Sequence, residues 1–445
     1  MNVALPRIHA AEALRFGLIV TLLFFNSVIL ESNEVIATSG FISKIGVQHV
    51  IWLWTADMLI VMVTTALYST IVDRTNRTKL TTIMFALFGV LYFGLFGIFY
   101  TERFVWFTYP VLTIINDQQW ALFGMLIWAL ANDSFSTAQA KRLFPLLAMA
   151  VMVGSVIGNT TVTLLPQWMQ LPGYSLLLLN ALILLILFLM LAVTNRTAHA
   201  NGPLLPAARS ARRQEGLREM LTEGHGFIRD VPIFRYLAFA MIPLGFALNA
   251  LEFRFLSTIV TTDTAAVQTI YGSFKMVLSI TVLLIQGVMT TTLINRIGLR
   301  RIFALMPIAQ VVGILAALVW PVYGIFVGNY LSRATLLAID EPARQMLYGM
   351  TPDERRGRVS AFMNGYLYPL GAMGSCLVIG LLLWLTNRGT VPLQWVQSVY
   401  LGMALCGVAF ASVMVRRIYH TYDVSLLSWR LERRKRRSMI PALDY

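Results

Sequence analysis

The chain has 445 residues, 57% of them hydrophobic and only 13% charged, well below the roughly 25% charged of a soluble domain. Lys and Arg outnumber Asp and Glu by 35 to 21, for a formal net charge of +14 at pH 7. In a soluble protein that balance would point to nucleic acid; here the basic residues lie between apolar runs and in the C-terminal tail, where they read as topology and as contacts to anionic headgroups. The two cysteines, Cys376 and Cys406, both in apolar stretches, exclude a disulfide framework and a cysteine metal site.

A bilayer crossing takes about 20 mostly apolar residues, and in lipid a helix satisfies its own backbone. Twelve crossings are predicted on this basis. The first six are Leu14–Ile36, Val47–Val72, Leu80–Tyr100, Val105–Ala131, Leu143–Leu165 and Tyr174–Val193. The last six are Ile233–Ile259, Val267–Ile294, Ile302–Val319, Pro321–Ile339, Val359–Leu385 and Val391–Val415. No small-residue cleavage site follows Met1–Ala13, so the first run is read as a retained helix.

Cations collect in every second connection. Arg74, Arg77 and Lys79 follow the second crossing, Lys141 and Arg142 the fourth, and Arg196 to Arg235 the sixth. Arg296, Arg300 and Arg301 follow the eighth, and Arg344, Arg355, Arg356 and Arg358 the tenth. The other connections hold little beyond Lys44, Arg103 and Arg388. Both termini are therefore expected in the cytoplasm of a bacterial inner membrane, together with the tail from Arg430 to Arg437.

The long polar stretch Thr194–Pro232 divides the chain into two halves and is expected to carry a short amphipathic helix. The expected divisions are 1–195, a linker at 196–232, 233–419, and a basic tail at 420–445. Charged turns recur at matching places: Asp73 to Lys79 after the second crossing and Asn295 to Arg301 after the eighth; Lys141-Arg142 after the fourth and Asp353 to Arg358 after the tenth. Two six-helix pseudo-repeats of this kind mark an all-α, major facilitator-like membrane fold, whose site lies near the midplane. Asp73, Arg74, Arg77, Lys141, Arg142, Arg296, Arg355 and Arg358 are the expected cytoplasmic gate, pairing with neighbouring helix ends when that side closes.

No nucleotide-binding loop, zinc motif or nucleophile motif is present, and the five histidines are scattered. An enzyme is not expected, nor any cofactor. Charges inside apolar helices are the candidates instead, because each costs about 2.5–3.5 kcal/mol on insertion scales unless it faces protein or water. At 1.5 Å per residue, Lys275 lies roughly 12 Å into its helix and Arg333 about 18 Å, near the middle of a core about 30 Å thick, and Glu252 is similarly deep, about 28 Å into a helix long enough to be tilted. Glu252, Arg254, Lys275, Arg333, Asp117 and Asn132 are the candidate substrate residues; Glu31, Glu34, Asp57, Asp340 and Arg344 are candidate coupling or charge-pair residues. Deep cations suit an anionic solute, and arginine grips phosphate or carboxylate through two bonds.

Trp128-Ala-Leu-Ala-Asn132-Asp-Ser-Phe-Ser-Thr-Ala-Gln-Ala-Lys141-Arg-Leu-Phe-Pro-Leu-Leu147 resembles the signature of the nucleotide transporter family, the ADP/ATP translocases of plastids and intracellular bacteria and their relatives. Asn249-Ala-Leu-Glu252, Asp340-Glu-Pro-Ala-Arg344-Gln-Met-Leu-Tyr348 and Pro369-Leu-Gly371 are similar to later motifs of that family, with one extra residue before Pro342. The resemblance implies that Glu252 is the family's helix 7 acid and that Arg344 stands at its helix 10 lysine. Two family cations are missing, because Leu30-Glu31-Ser32-Asn33-Glu34 carries none and Ala372 follows Pro-Leu-Gly in place of lysine. The expectation is a secondary transporter of a small anionic, nucleotide-like or other organic solute, working by alternating access as a single bundle. A lipid, lysolipid or amphiphile carrier is the alternative, and a non-transporting sensor or scaffold docked through its basic tail is the third.

Overall fold

The computed structural model describes residues 9–71, 76–101, 103–201, 231–289, 293, 296–348, 362–389 and 392–439, and among them every element is helical. The long helices are α1 (Ala10–Phe41), α2 (Val50–Ile71), α3 (Arg77–Tyr100), α4 (Val105–Ser134), α5 (Thr137–Met169) and α6 (Leu176–Asn201). They continue as α7 (Pro232–Ile259), α8 (Thr264–Leu284), α9 (Leu305–Val319), α10 (Tyr323–Thr335), α11 (Tyr368–Asn387) and α12 (Leu393–Met439). The expected linker helix, Asp73, Arg74, Arg355 and Arg358 lie outside the described residues.

Local chemistry sets the helix starts. Asn76 Oδ1 caps α3 by accepting from the Thr78 and Lys79 amides at 3.0 and 3.3 Å. Ser136 and Gln139 satisfy each other's backbone amides at the head of α5, and Asp263 accepts from the Ala265 amide at 2.9 Å to open α8. Between α1 and α2 the chain widens into a π turn, Ile42–Gly46, and Gly46 then takes φ +112°, a conformation that favours glycine.

Nine described stretches are long and apolar enough to cross a membrane. The first, Glu12–Tyr68, is 57 residues and takes in most of both α1 and α2. The 30-residue α4 is not among the nine, and Asn116-Asp117-Gln118-Gln119 stands at its middle. Large apolar side chains such as Val90, Phe93, Trp168, Ile186 and Leu381 are exposed, which in a soluble protein would be an aggregation hazard. The chain is an integral, multi-pass membrane protein.

Two compact units divide the chain: residues 1–214 with 256–287, and 215–255 with 288–445. In the first, α1 packs on α5 and α4, α3 on α6, and α8 on both α5 and α1. Gly154 and Gly158 bring α5 against the α1 backbone; a Cβ on either would stand 2.5 Å from the carbonyl oxygen of Phe24 or Val28. Such spacing lets membrane helices approach closely without a hydrophobic driving force. Gly158→Val is therefore expected to lower stability by about 1–3 kcal/mol or more. Thermal melting of the detergent-solubilised protein checks this, and an unchanged melting point would show that α1 can shift freely.

Buried amides tie the same unit together. Tyr92 on α3 donates to Gln119 Oε1 on α4 at 2.6 Å, and Gln119 Nε2 donates to Asn26 Oδ1 on α1 at 2.9 Å. Asn180 on α6 donates to Asn33 Oδ1 at 2.7 Å and Ser32 Oγ at 3.0 Å.

In the second unit, α9 packs on α10 and α12, around a core of residues such as Phe234, Met241, Phe303, Leu347 and Ile418. Gly313 and Gly328 lie back to back, the Gly313 Cβ position falling 2.8 Å from the Gly328 oxygen. Further π turns, Leu336–Asp340 below α10 and Met363–Leu367 ahead of α11, each widen a helix by one residue.

Candidate functional site

The deep charges gather in clusters, and helix periodicity explains how. On α8, Tyr271, Lys275 and Ser279 are spaced four apart and share one face; on α1, Glu31 and Glu34 are three apart. Lys275 Nζ lies 3.1 Å from Glu31 Oε2 and 2.9 Å from Glu34 Oε2. Asn159 Nδ2 on α5 donates to Glu31 Oε2 and Ser279 Oγ, each at 2.9 Å, and the Tyr271 hydroxyl donates to Glu34 Oε1 at 3.1 Å. Gly272 allows this convergence, because a Cβ there would press on the Thr163 hydroxyl. The buried Asn159 Oδ1 has no donor, so an acceptor is left open beside the ion pairs. Close by, Asp57 on α2 is fully buried and faces Asp117 on α4.

The second unit holds its own cluster. Glu252 on α7 is only 4% exposed. Its Oε2 accepts from Arg333 Nε at 2.9 Å and from Asn329 Nδ2 at 2.8 Å, both one turn apart on α10. Arg254 is buried as well and donates to the Pro321 carbonyl at 3.2 Å. At the position following Pro-Leu-Gly, Ala372 is buried and offers its carbonyl to Asn249 Nδ2 at 3.3 Å. Further along, Arg344 Nε pairs with Asp340 Oδ2 at 3.0 Å, one turn apart and both buried.

Paired charges also mark the helix ends of the first unit. Arg77, at the head of α3, donates to both carboxylate oxygens of Asp133 near the end of α4, at 2.9 and 2.7 Å. Arg142 and Gln139, at the head of α5, both donate to the Glu12 carboxylate on α1. In the second unit Gly298 turns the chain at φ +83°, and Arg300 lies over the Tyr419 ring at 4.8 Å. Because Arg77 and Asp133 are each about a quarter exposed, their pair is worth about 1 kcal/mol or less. Arg77→Glu is expected to lower stability by that order, and adding Asp133→Arg to restore it; a double-mutant cycle with no coupling would dismiss the latch.

No family model matches the chain, and no curated protein sequence does. Solved structures do. The nucleoside transporter NupG aligns with a TM-score of 0.62 at 14% identity, over 90% of this chain and 98% of that one. A POT family transporter in complex with 5-aminolevulinic acid aligns with a TM-score of 0.58 at 12% identity, over 92% and 96%. A bacterial homologue of the iron transporter ferroportin in an inward-facing state follows at 0.53 and 16%, over 90% and 98%. The fold is major facilitator-like.

Within that major facilitator-like fold, the expected residues fall into separate groups. Glu31, Glu34 and Lys275 meet, as do Asp57 and Asp117, and Glu252 and Arg333. Arg254 lies two residues from Glu252 but bonds to a backbone carbonyl. Asn132 is exposed near the end of α4 and joins neither buried cluster. Arg296 is exposed, and Lys141 lies in the first turns of α5, its side chain outside the described set. Sequence reasoning missed Asn159, Tyr271, Ser279 and Asn329, because it searched the helices for charge alone. A signal existed: an asparagine deep in an apolar run is also costly unless bonded. Glu12 and Asp133 were missed as partners of the basic turns for lack of any marker of which helix ends meet.

Proposed function

We propose that the protein is a secondary-active transporter that moves a small anionic organic solute by alternating access. Its body is twelve crossings in two pseudo-repeated halves, residues 1–195 and 233–419, in a bacterial inner membrane with both termini cytoplasmic. One observation carries the solute class: Arg333 and Lys275 are deep cations paired with the carboxylates of Glu252 and of Glu31 and Glu34, which a solute carboxylate or phosphate can displace. Arginine at Arg333 suits a two-oxygen grip on such a group. The resemblance of the Trp128–Leu147 segment to nucleotide transporters favours nucleotides among the anions. The missing lysines, with Ala372 buried at one of their positions, favour a changed cargo within that class.

A thermal-shift screen of the purified protein against nucleosides, nucleotides, phosphate and organic acids tests this. A ligand at 100 times its dissociation constant stabilises by about 2.7 kcal/mol. A shift from an anion that Arg333→Lys abolishes supports the assignment; shifts from uncharged nucleosides alone would exclude an anionic solute.

A second reading has its own support. Each unit carries an apolar cavity, one of about 290 Å³ along α5 and α6 lined by Leu165, Met169, Leu176 and Leu179. The other, about 370 Å³, lies along α7, α11 and α12 and is lined by Phe239, Phe246, Leu370 and Phe410. These suit an acyl chain, and a lysolipid carrier would respond to lysolipid while ignoring changes at Arg333.

A further inference from the structure

Deep within the helices of the first unit, acids outnumber bases. Glu31, Glu34, Asp57 and Asp117 come from α1, α2 and α4, and among the described residues the ammonium that reaches this group is Lys275. Lys275 is already engaged by Glu31 and Glu34. Asp57 is fully buried, and neither of its carboxylate oxygens has a hydrogen-bond donor. Asp117 comes within hydrogen-bonding range of it from the facing helix. Two ionised carboxylates are acceptors only, so their meeting forms no bond as it stands. A single proton between them supplies the missing donor and removes one of two like charges held side by side at the buried Asp57, where unpaired charge is most costly.

The other surroundings offer no better partner. From α3, the Tyr92 hydroxyl is given to Gln119. From α1 and α8 come Glu34 and Lys275, which hold each other. The turns next to α2 and α4 carry Lys44 and His49, both exposed. A hard metal ion takes about six or more oxygen ligands, and among the described residues no three His, Cys, Asp or Glu side chains converge.

We propose that Asp57 and Asp117 form a proton site. One H⁺ from the aqueous phase binds a carboxylate oxygen of the pair, an O–H···O bond forms, and the pair keeps one negative charge. This deepens the transporter reading and rests on it for its purpose, the coupling ion, but not for its measurement. Lys275 acts on both Glu34 and Asp117, so an anion that draws the lysine away leaves the carboxyl pair less compensated and strengthens its hold on the proton. By linkage the proton strengthens anion binding equally, which is the sign of symport.

Infrared spectra of the purified full chain in lipid at neutral pH test the site directly. The expected result is the carbonyl stretch of a protonated carboxylic acid, shifted in D₂O, and lost in Asp57→Asn and in Asp117→Asn alike. A band that survives in either single variant, or is absent from the wild type, overturns the proposal. So does a band erased by sodium at fixed pH, which would assign the pair to a metal cation. Should an asparagine variant fail to fold, Asp57→Glu and Asp117→Glu keep a carboxyl and are each expected to move the band; no movement in both puts the proton elsewhere. No solute is needed, so a silent thermal-shift screen and a missing band are separate failures.

Discussion

Replacing Lys275 with methionine is expected to lower stability by about 1–3 kcal/mol, less than for a fully buried pair because the Glu31 and Glu34 side chains are 22% and 35% exposed, and to abolish uptake. The reason is what remains. Glu31 and Glu34 accept from Asn159 and Tyr271, but those neutral donors do not replace the ammonium 3.1 and 2.9 Å from them. The check is thermal melting of the variant beside a triple variant that adds Glu31→Gln and Glu34→Gln. The triple variant is expected to recover most of the loss, because removing both sides of a buried pair is often near neutral. If Lys275→Met alone melts like the wild type, the cluster is solvated and the ion pairs do not hold α8 to α1.

Arg333→Met is expected to cost more, about 3–5 kcal/mol, since the Glu252 carboxylate, at 4% exposure, loses its guanidinium partner. Adding Glu252→Gln is expected to restore stability without restoring transport. The conservative change is the sharper probe. Arg333→Lys keeps the charge beside Glu252 but loses the planar fork that grips two oxygens. It is expected to melt near the wild type while losing its response to an anionic ligand. A lysine variant that binds the anion as well as wild type would remove Arg333 from the solute site.

The helices were legible in the sequence wherever apolar length alone decides them. The predicted Val105–Ala131 and the observed Val105–Ser134 differ by three residues at one end, and the start at Val50 rather than Val47 reflects the Gly46 turn. Deep charges were equally visible, because a lysine at position 275 needs no fold to look expensive. Their partners were not. Glu252 and Arg333 are distant in sequence, and only the packing of α7 with α10 makes them neighbours. Small residues carried information that charge-based reading passed over: Gly154 and Gly158 set the approach of α5 to α1. The long helical continuation of α12 to Met439 was read as a tail, since its arginine-rich run from Arg430 to Arg437 announces charge rather than helix.

The π turn at Leu336–Asp340 stands immediately ahead of Glu341, the residue that separates Asp340 from Pro342. An ordinary insertion into an α-helix would swing everything after it by about 100°, carrying Arg344 and Tyr348 off their buried faces. A widened turn takes up one additional residue locally, so the downstream helix keeps its orientation. Insertions and deletions, normally confined to loops in evolving proteins, thus have a tolerated location inside this membrane bundle. Loss of one residue within Leu336–Asp340 would tighten the widened turn and leave the Asp340–Arg344 pair, one turn apart beyond it, in register.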